Sequence, residues 1–288
     1  MTLAIFRAGI VSLGTVVPSV TESSIGLEVL TLLALSALYV VLVVVAIVVA
    51  ARLERRAYTE FGLNVGRHWI RNFVAGAVFT VVGIAVSVFW GELRGLRDVD
   101  LAVGGGSGAG VPLVVGVVFV AFLQSFLLGN VYEEVVYRRI VLGNFAEGLT
   151  ARGLSPTVAT TVATAASLLL FGLYHVPLRG NVVVAIDAAL VGITFSLAYL
   201  LTGELGLPVG IHFGRVLTEL LYGRTIAGVA VPQFVELTRT TLTANLEVKL
   251  VRLSVICLFV LAWVYLARGE LRLDETVYRA SGVRSDAD

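Results

Sequence analysis

The sequence predicts an all-α, polytopic transmembrane helix bundle of about seven spans. Three observations predict it. Of 288 residues, 58% are hydrophobic and only 14% charged, against roughly 25% charged in an ordinary soluble domain. The mean hydropathy is +0.94. Apolar runs of about 20 residues, enough to cross ~30 Å of hydrocarbon, recur along the chain. The net charge of +1 carries no nucleic-acid footprint. The single cysteine, Cys257, excludes an internal disulfide framework.

Residues 1–26 read as an N-terminal segment, apolar but broken by Gly and Pro. A short interfacial helix there would be an eighth element. Arg7 alone in the n-region, with no cleavage site after it, argues against a signal peptide. The transmembrane domain follows at 27–267, with spans at 27–50, 68–90, 111–137, 157–176, 181–202, 208–227 and 248–267. Between the second and third, GGGSGAG (104–110) reads as a flexible linker. It is no phosphate loop, because no Lys-Ser/Thr follows it. Ser155-Pro156 marks the start of the fourth helix. Residues 268–288 form a charged tail, read as frayed from 270 on. There is no internal repeat.

Arginines set the expected orientation. Arg52, Arg55, Arg56, Arg67 and Arg71 surround the first connection. Arg138, Arg139 and Arg152 surround the third, and Arg268, Arg272, Arg279 and Arg284 follow the last span. The positive-inside rule then puts the C-terminus in the cytoplasm and the N-terminus outside the cell membrane. Arg94 and Arg97, in the second loop, run against the count.

Ionisable groups at membrane depth are expensive and mark function by default. Here they are Glu133, Glu134, Arg138, Arg139, His175, Asp187, His212, Arg215 and Glu219. Glu134 and Arg138 are i,i+4 in the favourable order and read as a local ion pair. Arg139, one step round, is expected to snorkel to the headgroups. Glu133 has no charge partner on its own helix. Asn130 and Tyr137, at i−3 and i+4, can hydrogen-bond it but not neutralise it. Desolvation disfavours the charged carboxylate, which suits a general base working near neutral pH.

Helix lengths let His175 and His212 reach the level of Glu133, so three helices can each contribute one group to a single cavity near the cytoplasmic leaflet. A polar knot that only glues helices together is the competing reading. Asp187 reads as hydrated or paired with Arg179. His68 stands at a span boundary, where a histidine is structural. Phe171 either lines the cavity or simply packs.

The motifs then point to a family. EEVVYR (133–138), FGLYH (171–175) and IHFGRV (211–216) stand in order on successive spans. They resemble the EExxxR, FxxxH and HxxxN motifs of the CPBP family, the CAAX prenyl-protein and bacteriocin-processing endopeptidases, also called Abi. The resemblance covers about 111–223. It implies an intramembrane endopeptidase in which Glu133 and His175 activate water and His212 stabilises the oxyanion, with Glu134, Arg138 and Phe171 in support. The departure is Val216, where the motif has Asn. An apolar side chain cannot donate to an oxyanion. Arg215 is the nearest substitute, although a pair with Glu219 is the plainer reading.

The expected substrate is a hydrophobic or lipidated protein or peptide at the bilayer. Glu133, His175 and His212 would also make a zinc set with an open fourth position, though HExxH is absent. Two other classes remain in view: a non-catalytic CPBP-like membrane protein with an immunity or binding role, and a proton-coupled transporter. The lack of an internal repeat counts against the transporter.

Overall fold

The structure, a computed structural model, describes residues 25–100, 111–179, 182–219, 222–226, 229–239 and 241–279. The interfacial helix expected within residues 1–26 and the linker at 104–110 lie outside them.

Among the described residues, seven helices longer than one turn follow one another. They are α1 (Ile25–Glu54), α2 (Arg67–Leu93), α3 (111–150), α4 (Pro156–Arg179), α5 (Val183–Thr202), α6 (Gly206–Glu219) and α7 (Leu242–Arg268). Among the described residues, six helices are long and apolar enough to cross a membrane. The chain is an all-α polytopic membrane bundle. α4 begins at Pro156, as the Ser155-Pro156 signal predicts. α7 is capped by Thr241, whose hydroxyl accepts from the Ala244 amide at 3.1 Å, and ends at Gly269 with φ 77°.

One expected span needs correction. The sixth, at 208–227, is not a full helix. α6 has 14 residues, about 21 Å of rise against ~30 Å of hydrocarbon. Beyond it the chain turns into a ribbon of β2 (Tyr222–Ile226) and β3 (Val229–Gln233). β4 (Glu236–Arg239) then pairs antiparallel with β1 (Arg97–Asp100).

These contacts sort the connections into two faces. The Leu205 amide donates to the Gly62 carbonyl, Arg56 bridges Glu54 and Glu147, and Arg268 donates to the carbonyls of Leu201 and Thr202. The first, third and fifth connections and the end of α7 therefore share one arginine-rich face. The β1–β4 pairing joins the second connection to the start of α7 on the other. Short as it is, α6 with its ribbon still carries the chain from one face to the other.

The C-terminal segment also departs from expectation. Residues 270–279 are not frayed. Arg268 pairs with Asp274 at 3.0 Å. Asp274 caps the short turn Glu275–Val277, and Val277 is fully buried among Tyr199, Leu142 and Ala146. The apolar valine, two residues from Glu275 on one side and Arg279 on the other, supplies the anchor.

α6 lies parallel to α2 in backbone contact. Gly206, Gly210 and Gly214, spaced by four, form one stripe on α6. A Cβ at Gly206 would stand 2.6 Å from the Trp69 carbonyl, one at Gly214 2.6 Å from the Ala77 carbonyl, and one at Gly210 would collide with the Phe73 carbonyl. Small residues at this spacing let helices pack closely where lipid offers no hydrophobic drive. Thr80 fixes the register by donating to the Ile211 carbonyl at 2.8 Å. With the glycine stripe against α2, His212 is on the far side of α6, facing α3 and α5.

Candidate active site

α3 is where the backbone is unusual. Phe126–Tyr132 and Val135–Leu142 are both π-helical, and Glu133 and Glu134 occupy the α-helical step between them. Wide turns of this kind recur at functional sites. They also disturb the i→i−4 ladder, and a carbonyl freed at membrane depth needs a partner. Ser167 of α4 supplies one, donating to the Tyr137 carbonyl at 2.6 Å.

The two adjacent carboxylates face different histidines. Glu133 Oε1 is 3.9 Å from His175 Nε2 on α4. Glu134 Oε1 is 3.2 Å from His212 Nδ1 on α6. The other oxygen of Glu134 is 3.2 Å from Arg138 Nε, the i,i+4 pair read from the sequence. Arg138 in turn donates to the Gly192 carbonyl of α5 at 3.2 Å. Glu134 and Arg138 are both fully buried, and Glu133 and His212 nearly so. His175 is the most open of the group, with its side chain 15% exposed.

Aromatic rings hold these groups in place. The Arg138 guanidinium stacks over Phe171 at 4.4 Å and Phe195 at 5.1 Å, the geometry of a cation–π contact. Phe171 also meets His175 edge-on at 4.7 Å, and Phe195 stacks on His212 at 4.7 Å and 17°. Phe171 therefore supports both the arginine and a histidine. Tyr137 packs edge-on against Phe171 at 5.2 Å. The His175 Nδ1 is 2.8 Å from the Phe171 carbonyl. A carbonyl can only accept, so Nδ1 carries the hydrogen, and Nε2, which accepts when the ring is neutral, faces Glu133.

Several expectations fail on contact. Arg139 does not snorkel to the headgroups. It is buried, donates through Nε to the Glu60 carbonyl at 2.7 Å and covers the Phe61 ring. The loop after α1 folds back over the end of α3 and takes the arginine inward. Asn130 does not bond Glu133: its side chain is fully buried, and neither amide atom has a hydrogen-bond partner. Asp187 pairs with Lys249 on α7, a partner 62 residues away in sequence that no local spacing reveals. The side chain of Glu219 lies outside the described residues. Arg215 lines a narrow cavity between α2, α5 and α7 with Thr80, Thr194 and Arg252.

The zinc set does not converge. Among the described residues no three His, Cys, Asp or Glu side chains are grouped to hold one metal ion. Glu133 with His175, and Glu134 with His212, are two separate pairs. The missed feature is the Glu134–His212 contact, and its signal was in the sequence as the Gly206–Gly210–Gly214 spacing that turns His212 inward.

Fold and site together define a multi-pass membrane protein with a buried centre of two carboxylates and two histidines. Residues 114–218 match the family model for type II CAAX prenyl endopeptidase Rce1-like proteins, over nearly the stretch on which the CPBP resemblance rests. The match takes in all three motifs and supports a membrane protease. No curated protein and no solved structure matched the chain.

Proposed function

We propose that the protein is an intramembrane endopeptidase of the cell membrane, cutting a peptide bond in a membrane-associated or lipidated substrate. One observation carries this reading: neighbouring carboxylates on α3 each face a different histidine, from α4 and from α6. Glu133 and the accepting Nε2 of His175, 3.9 Å apart, can both accept from one water. As that water attacks the scissile carbonyl, Glu133 takes its proton and later returns it to the leaving amine. His212 donates to the oxyanion. Its Nδ1 is held by Glu134, so donation from Nε2 needs the imidazolium form, and Glu134 is the counter-charge for that form. Arg138 and the two phenylalanines hold Glu134 in position.

The test is cleavage of a farnesylated CAAX peptide by purified protein in proteoliposomes, read by mass spectrometry. Wild type should cut, and Glu133→Gln should not. Equal cutting by both would sink the mechanism. Val216 favours a second reading, a binding protein with a lapsed protease site, and an inactive wild type that still binds the peptide would select it. We further place the C-terminus in the cytoplasm, following the arginine-rich face. A reporter fused there and found outside would refute that.

A further inference from the structure

Asn130 is unusual among the described residues. It is fully buried, with 0% of its surface accessible, yet neither Nδ2 nor Oδ1 has a hydrogen-bond partner. It is the only side-chain amide among the described residues left with both atoms unpaired in the interior. Buried polar groups are bonded almost without exception, and each orphan calls for an explanation. A leucine would fill the same space without the desolvation cost.

The location of Asn130 suggests what the amide is for. It stands one turn before Glu133 and Glu134, inside the first π segment of α3. Its neighbour Gly129 passes beside His212: a Cβ on Gly129 would be 3.9 Å from Nε2. That nitrogen is the one His212 does not use on Glu134. Asn130 thus follows directly on the residue that passes the donor proposed for the oxyanion. One turn beyond His212 on α6, Val216 carries no donor in its side chain.

We propose that Asn130 is the second oxyanion donor, acting beside His212 from α3 in place of a donor at position 216. The assignment rests on the endopeptidase reading above. When the water adds to the peptide carbonyl, the C=O π bond opens and its electron pair collects on oxygen. The Asn130 Nδ2–H and the His212 Nε2–H then share that charge. The unpaired amide of the resting protein is a donor kept for the transition state, which is where such an interaction raises kcat.

The experiment uses the full-length protein in proteoliposomes with a farnesylated CAAX peptide and a panel of hydrophobic peptides. Asn130→Leu should lower kcat by about 10²–10³-fold with little change in KM. Its Tm should be equal to or above that of wild type, because an unpaired amide has been removed from the interior. A purely structural asparagine would give the reverse, a lower Tm with kcat held. Adding Val216→Asn to Asn130→Leu should recover at least about tenfold of the lost kcat, since one good donor in this role is worth that or more. Asn130→Leu cutting as fast as wild type, a kcat loss that only tracks a Tm loss, or a double variant with no recovery would each overturn the assignment. If Glu133→Gln is dead while Asn130→Leu is fully active, only Asn130 falls. If Glu133→Gln is active, or wild type cuts nothing, the endopeptidase reading falls with it.

Discussion

The two halves of the buried centre are built differently, although their carboxylates are adjacent in sequence. On the α6 side, Glu134 is fully buried, and it contacts Arg138 and His212 at 3.2 Å each. On the α4 side, Glu133 stands 3.9 Å from His175, and that histidine is partly open. A carboxylate held at 3.2 Å by a guanidinium on one oxygen and an imidazole on the other has the contacts of scaffold. On the reading proposed above, Glu133, 3.9 Å from its histidine, is the carboxylate that does the chemistry. The sharpest way to break this distinction is Glu133→Gln. It should cost about 10²–10⁴-fold in kcat, the range for a lost general base, while leaving Tm near that of wild type. Peptide cleavage and thermal unfolding on the same preparation check both halves of the expectation. A variant that loses Tm in step with activity would make Glu133 scaffold too.

Glu134→Gln should behave in the opposite way. Removing one partner of a buried ion pair strands the other, at about 3–5 kcal/mol. Here the stranded group is Arg138, which keeps the Gly192 carbonyl, two aromatic faces and the more distant charge of Glu133. The measurement is thermal or denaturant unfolding in detergent. A Glu134→Gln protein as stable as wild type would erase the contrast between the two carboxylates.

Part of this centre was legible in the sequence, for a physical reason. The Glu134–Arg138 pair is local, fixed by helical spacing, and it survives in the structure. So do six of the seven spans, because apolar length is read directly from composition, and so does the start of α4 at Pro156. What was not legible depends on how helices meet. Arg139 turns inward because a distant loop supplies the Glu60 carbonyl. Asp187 finds Lys249 across the bundle. Residues 270–279 are held by Val277 in a pocket built by other segments. The π segments of α3 leave no mark on hydropathy at all.

The His212 side depends on the α2–α6 contact, and that is the next place to test. Gly210→Ala puts a methyl against the Phe73 carbonyl. Backbone cannot rotate away as a side chain can, so the cost should approach the upper end of overpacking, about 3 kcal/mol. Moving α6 off α2 would also move His212 relative to Glu134. Gly210→Ala should therefore lower both Tm and kcat, unlike Glu133→Gln. Full stability in Gly210→Ala would mean that the glycine stripe does not fix α6.

The smallest effect expected is at Ser167, and it tests the α4 side. The Ser167 hydroxyl gives the Tyr137 carbonyl its partner across the α3–α4 contact. Ser167→Ala leaves that carbonyl in a wide-turn stretch of backbone with no hydroxyl to receive. In water a lost hydrogen bond of this kind is worth about 1 kcal/mol, and interhelical bonds in membranes are of similar size, averaging about 0.6 kcal/mol. The loss of stability should thus be about 1 kcal/mol or less, close to the limit of thermal unfolding. Hydrogen exchange is the better probe, because the amides of 135–142 should exchange faster while those of α6 stay unchanged. If instead the whole bundle loosens equally, the two halves of the centre are one cooperative unit, and the difference between Glu133 and Glu134 lies in chemistry alone.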